Sequence, residues 1–134
     1  MPEVRVLGRV ESSLVERSEA PKQGDEGTPD AWLVFDADLR PALRDLVVGS
    51  NVILLTWLDR AAREVLVVHP RGDRTNPPRG VFSTRSPDRP NPIGLHTVHI
   101  VAIEDLRIQV RNLEALDGTP IIDVKPVLEP RGER

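Results

Sequence analysis

Residues 80–94 read GVFSTRSPDRPNPIG, and this run limits what the rest of the chain can fold into. Prolines at 87, 90 and 92 remove backbone donors and fix φ, so the run is too proline-rich for a helix. Each proline also pushes its predecessor toward extended geometry, so the run is too rigid for a slack linker. It reads as a fixed loop between two strands, with part of its ordering entropy removed in advance. Arg85 and Arg89 are therefore held rather than floppy, and Ser83, Thr84, Ser86 and Asn91 lie between and beside them. That composition suits a binding surface more than a mere connection.

The flanking sequence supplies short apolar runs. Residues 4–10 alternate Val4, Val6 and Val10 with Arg5 and Arg9, predicting a half-buried strand with a possible bulge at Gly8. Residues 16–30 carry Pro21, Gly24, Gly27 and Pro29 and predict a long exposed loop. A short strand is expected at 31–35. A helix should follow, capped by Asp36 or Asp38, with Pro41 in its first turn, continuing through Leu43 and Leu46 to Gly49. Residues 52–58 are almost uninterruptedly apolar, which fits a strand buried on both faces, and 65–68 read as another buried strand. Beyond the central loop, 95–103 and 106–113 alternate as a hairpin about Glu104 and Asp105, and 121–124 close the series after the DGTP turn at Asp117. Six or seven short strands with one helix imply a mainly β protein: a single domain over 1–134 whose antiparallel sheet curls into a small barrel.

Composition narrows the function classes. Apolar residues make up 39% and charged residues 29% of the 134, as in globular domains with a real core. Two Trp, two Phe and no Tyr argue against a surface that stacks single-stranded nucleic acid on aromatic rings, and the absence of cysteine excludes disulfides and thiol chemistry. The apolar runs fall short of a membrane span and Met1 to Arg5 open no signal peptide, so a cytoplasmic protein is expected. A net charge of −3 does not suit a general DNA or RNA binder. Yet five arginines (71, 74, 79, 85, 89) stand against only Asp73 and Asp88 between 71 and 89, a positive island coinciding with the proline-rich loop. Arg71, Arg74, Arg79 and Arg89, with Asn91, are thus the candidate substrate contacts.

Familiar catalytic signatures are missing. No glycine cluster joins a strand to a helix, so neither a phosphate loop nor a dinucleotide fingerprint is present. His96 and His99 are three apart in a predicted strand and fall on opposite faces, so no metal site is expected. No nucleophile elbow surrounds Ser83, Thr84 or Ser86. Asp117 is first of all a turn residue.

The run GVFSTRSPDRPNPIGLH, with HPRGD upstream and LDGTPIIDVKP downstream, resembles the TsaA-like family from about residue 4 to 128. The resemblance implies a dimeric β-barrel that uses S-adenosyl-L-methionine as cofactor and methylates an exocyclic nitrogen. The acceptor it implies is threonylcarbamoyladenosine beside the tRNA anticodon. It assigns cofactor contacts to Arg85 and Leu95, to Arg60 and Ala61, to Asn112, Leu113 and Glu114, and to a loop of Lys22, Gln23 and Gly24, in which Lys22 replaces the family's arginine. By chemical type, Arg85 suits the cofactor carboxylate, Glu114 its ammonium and Leu95 its adenine. Asp117 is the candidate catalytic helper for proton removal. Asp59 stands where many members have histidine, and the chain ends at Arg134 without the extension of longer members. A small heteroaromatic metabolite is therefore the alternative acceptor, and a non-catalytic RNA- or nucleotide-binding module the alternative class.

Overall fold

A computed structural model describes residues 1–15 and 30–128. Eight strands form among the described residues: β1 (Gly8–Glu11), β2 (Ala31–Phe35), β3 (Asn51–Trp57), β4 (Val67–Val68), β5 (Arg79–Gly80), β6 (Ile93–Glu104), β7 (Arg107–Arg111) and β8 (Pro120–Pro126). Six of them pair antiparallel in the order β1-β2-β7-β6-β3-β8, and β8 returns to β1, so the sheet closes into a barrel without a free edge. β4 and β5 form a separate two-stranded ribbon.

Closure depends on β6 and β3, each long enough to serve two neighbours. β6 pairs with β3 from Ile93 to His99 and with β7 from His99 to Glu104. Register shifts bend two strands, as one extra residue in a ladder does: Val101 is the extra residue of β6 opposite β7, and Ile122 that of β8 opposite Leu55 and Thr56 of β3. The interior is filled by alternate residues, among them Val10, Leu33, Val52, Leu54, Val98, Ile100, Ile108, Val110 and Ile121. Gly8 sits where two backbones cross closely. A Cβ there would fall 2.9 Å from the Cα of Phe35, so the glycine marks a close approach rather than the expected bulge.

Several expectations are corrected. β1 starts at Gly8, and Val4 and Val6 are exposed, because the ladder to β2 and β8 reaches no further back. β3 buries only Val52, Leu54 and Thr56, since a barrel strand has one inward face whatever its composition. Residues 65–68 are not a buried strand: β4 is two residues long, and Leu66 and Val67 face solvent. The helix is a 3-10 helix, Ala37–Leu43, with no side-chain cap from Asp36. Pro41 inside it supplies no N–H, and Asp45 turns the backbone at φ 78° before Gly49 at φ 93°. Leu39, Leu43 and Leu46 still pack on the core, so the apolar spacing identified the contacting face but not the helix type. No helix among the described residues is long and apolar enough to cross a membrane.

Candidate functional site

A cleft of about 210 Å³ opens at the start of β6, far larger than the one-water void of a packing defect. Its walls are the turn after β3 (Leu58, Asp59, Arg60, Ala61), the proline-rich loop (Arg85, Ser86, Pro87, Arg89), the first residues of β6 (Ile93 to His96), and the segment after β7 (Glu114, Ala115, Leu116, Thr119). Ile93 and Leu95 are large apolar side chains that remain exposed at this wall.

The loop is held by its own arginine. Arg89 donates from Nε to the Ser86 carbonyl (2.9 Å) and from one terminal nitrogen to the carbonyls of Thr84 (2.5 Å) and Val81. The Thr84 hydroxyl accepts the Ser86 N–H at 3.1 Å. Asp88 accepts the Ala62 N–H at 2.8 Å, and Arg63 donates to the Pro90 carbonyl (2.8 Å) and the Asn91 side chain (3.1 Å) while its guanidinium lies 5.1 Å from the Trp57 ring centre. The loop is thus tied both to itself and to the turn after β3. Arg85 stands on this frame, exposed, with no hydrogen bond or ion pair to any described residue.

A buried polar chain lies at the cleft floor. His96 Nε2 is 2.8 Å from Thr56 Oγ1, and His96 Nδ1 is 2.6 Å from Glu114 Oε1. Thr56 is fully buried, the His96 side chain is 4% exposed and that of Glu114 22%. Thr56 pairs across the sheet with Gly94, and a Cβ at Gly94 would lie against Thr56 Oγ1 and 2.6 Å from His96 Nε2. Glycine at this position leaves the space the imidazole occupies.

Five of the assigned cofactor residues, Arg60, Ala61, Arg85, Leu95 and Glu114, line this one cleft although they span residues 60 to 114. Arg60 also donates to the Val15 carbonyl at 2.6 Å. Leu113 is instead part of the barrel core, and Asn112, exposed at φ 72°, turns the chain out of β7 without lining the cleft. Lys22, Gln23 and Gly24 lie outside the described residues. Asp117 does not reach the cleft: its carboxylate accepts the Ser12 N–H at 3.0 Å, beside a separate shallow depression. Among the substrate candidates, Arg89 lines the cleft but its guanidinium braces the loop, and the Asn91 side-chain oxygen is engaged by Arg63. Arg74 and Arg79 are exposed away from the cleft, and Arg71 belongs to the 3-10 turn Pro70–Gly72. In this island the Thr75 hydroxyl and N–H both donate to Asp73 and hold its carboxyl below the usual carboxylate range.

Thr56 and the part His96 plays at the cleft were not apparent from sequence. The available signal was register: His96 faces inward in line with Val98 and Ile100, where a polar residue requires a partner.

A closed antiparallel barrel with a cleft at one strand end, an arginine displayed on a braced loop and a hydrogen-bonded carboxylate defines a small ligand-binding barrel protein. Residues 9–130 match the tRNA-methyltransferase O N-terminal domain, and the chain belongs to that family. A probable S-adenosyl-L-methionine-binding protein of Methanothermobacter thermautotrophicus is 42% identical over 126 residues, 94% of this chain and 90% of the relative. An S-adenosyl-L-methionine-binding protein of Archaeoglobus fulgidus is 39% identical over 122 residues, 91% of this chain and 86% of the relative. The crystal structure of TrmO from Pseudomonas aeruginosa superposes with a TM-score of 0.76 at 27% identity, covering 99% of this chain and 58% of that one. Another TrmO crystal structure gives 0.78 at 28% identity, covering 99% and 60%. The chain therefore spans somewhat under two thirds of the solved TrmO chains.

Proposed function

We propose that the chain is an S-adenosyl-L-methionine-dependent N-methyltransferase acting on the exocyclic amine of threonylcarbamoyladenosine beside the anticodon of tRNA. The observation that carries the reading is Arg85, exposed and without a protein partner among the described residues, on a braced loop in the same cleft as Glu114. The cofactor requirement fits these walls. A guanidinium suits its carboxylate, a carboxylate acceptor its ammonium, and the exposed Ile93 and Leu95 an apolar ring. When bound, the cofactor supplies a methyl group on a positively charged sulfur. The protein's share is alignment: a loop cross-braced by Arg89, Asp88 and Arg63 presents Arg85 without the entropy of ordering a flexible segment. Asp117, outside the cleft, supports no base there, and a weakly basic amine can lose its proton after attack.

Family membership and the exposed Arg74 and Arg79 support tRNA as acceptor and the cytoplasm as location. The reading includes a homodimer, supported by apolar side chains left in solvent on and beside the β4–β5 ribbon: Leu66, Val67 and Phe82. Its test is transfer of a radiolabelled methyl group from the cofactor to tRNA that carries the threonylcarbamoyl modification, beside a panel of small heteroaromatic amines. Label in the modified tRNA is expected. Label in the amines alone would move the assignment to a small-molecule acceptor, and label in neither would leave a binding module. Arg85→Ala should lower cofactor affinity by roughly 2–5 kcal/mol in calorimetry, the cost of leaving a desolvated carboxylate without its cation; unchanged affinity would remove Arg85 from the site.

A further inference from the structure

We infer that Thr56 and His96 form a positioning relay for Glu114, pinning one carboxylate oxygen in the cleft wall and leaving the other for a cationic or N–H-bearing group of the ligand. The inference rests on the cofactor reading of the cleft and deepens it, because it assigns work to Thr56, which does not line the cleft, and to His96, nearly buried at its floor.

Glu114 lies in the irregular segment between β7 and the Asp117–Gly118 turn, where no strand ladder orders it. A glutamate there would ordinarily sample several rotamers and lose that freedom on binding. Its Oε1 is held at 2.6 Å by His96 Nδ1, while among the described residues no protein group bonds Oε2. A carboxylate only accepts, so Nδ1 must carry the proton. The ring is then fixed from its other side by the Thr56 hydroxyl, which satisfies Nε2 at 2.8 Å. Both supporting groups are cut off from solvent, so water cannot substitute for either. Gly94 completes the arrangement, since any Cβ at that point would collide with the hydroxyl and the imidazole together. A histidine serving only as filler has no reason to be there: the inward residues that follow it on β6, Val98 and Ile100, fill the barrel with no polar atoms to satisfy. Three residues, two of them on paired strands, are arranged so that one carboxylate is held.

The relay is tested by calorimetry with S-adenosyl-L-methionine on the wild-type chain, Thr56→Val, Glu114→Gln and the double variant. Thr56→Val keeps the volume and strand preference but removes the hydroxyl, and should weaken binding about 3- to 10-fold, the scale of one hydrogen bond. Thr56→Ser should bind as wild type. The discriminating result is the cycle: in the Glu114→Gln background, Thr56→Val should have no further effect, because its influence passes through that carboxylate. Wild-type affinity in Thr56→Val, or losses that multiply in the double variant, would overturn the relay. Should Thr56→Val fail to fold, as thermal melting would reveal, nitrogen NMR of the wild-type imidazole decides: a proton on Nδ1 is required, and a ring protonated on Nε2 alone would refute the relay. No binding by the wild-type chain would instead remove the cofactor reading, and the tautomer, which needs no ligand, would still judge the relay by itself.

Discussion

Arg85 and Arg89 are four residues apart on one loop, and their surroundings give them opposite roles. Arg89 braces the loop by donating to the carbonyls of Ser86, Thr84 and Val81, the last of which also accepts the Thr84 N–H, whereas Arg85 bonds to no described residue and is available to an anion. Gly94 shows the same dependence on neighbours. Its backbone needs no special φ, yet its missing side chain is the space in which His96 lies over Thr56. Gly94→Ala should therefore destabilise the fold by roughly 1–3 kcal/mol, the usual cost of overpacking a filled site. Equilibrium denaturation measures it, and a variant as stable as wild type would show that the imidazole can move aside freely.

At the scale of elements, the proline-rich loop and the β4–β5 ribbon divide the positive island between them. The loop carries Arg85 into the cleft wall, while β5 and the connection that joins it to β4 carry Arg79 and Arg74 into solvent. Arg89→Lys keeps the charge but replaces a planar fork with a single ammonium, which cannot serve three carbonyls in the same geometry. Faster amide exchange over residues 81–86 and weaker cofactor binding are expected together. Unchanged exchange would mean that the prolines alone hold the loop. For the ribbon, Arg74→Ala with Arg79→Ala should weaken tRNA binding and leave cofactor affinity nearly unchanged. Its salt dependence should fall by roughly one unit of slope for each phosphate that the protein no longer neutralises. A small uncharged acceptor releases no counterions. Methylation that ignores both ionic strength and the double variant would exclude a backbone contact at these arginines.

For the whole molecule, closure of six strands uses up every barrel edge, so association through strand pairing at an edge has nothing to work on there. What stays exposed is side-chain surface. Phe82 is 85% exposed, Leu66 64% and Val67 60%, all near the junction of the ribbon and the loop. A two-fold pair would bury such a patch on both copies at once and place it near the cleft wall. Light scattering at micromolar concentration should give twice the chain mass, and Phe82→Asp should return the monomer. A wild-type monomer with full activity would exclude the dimer.

What the sequence determined by itself is what depends on near neighbours. Proline stiffness predicted a loop without helix at 80–94, and the prolines do keep 84–92 irregular, although a 3-10 turn forms at Val81–Ser83 ahead of them and β6 begins at Ile93. A short apolar run placed β2 and alternation placed β6 and β7 close to their final bounds, and the turns at Asp105 and Asp117–Gly118 follow from residues that tolerate or favour them. The resemblance of its motifs to a family indicated Arg60, Ala61, Arg85, Leu95 and Glu114, which the fold brings to one cleft. Tertiary structure alone decided the rest. The all-apolar run of β3 looked buried on both sides because composition does not reveal that a barrel strand has a single inside. Residues 37–43 had the apolar spacing of an α-helix, but only their contact with the core and the turn at Asp45 set a 3-10 helix. Thr56 and His96 are 40 residues apart and His96 and Glu114 are 18, and no local pattern links them. They meet because β3 and β6 are in one register and Gly94 leaves a gap, which is a property of packing and not of any stretch of chain.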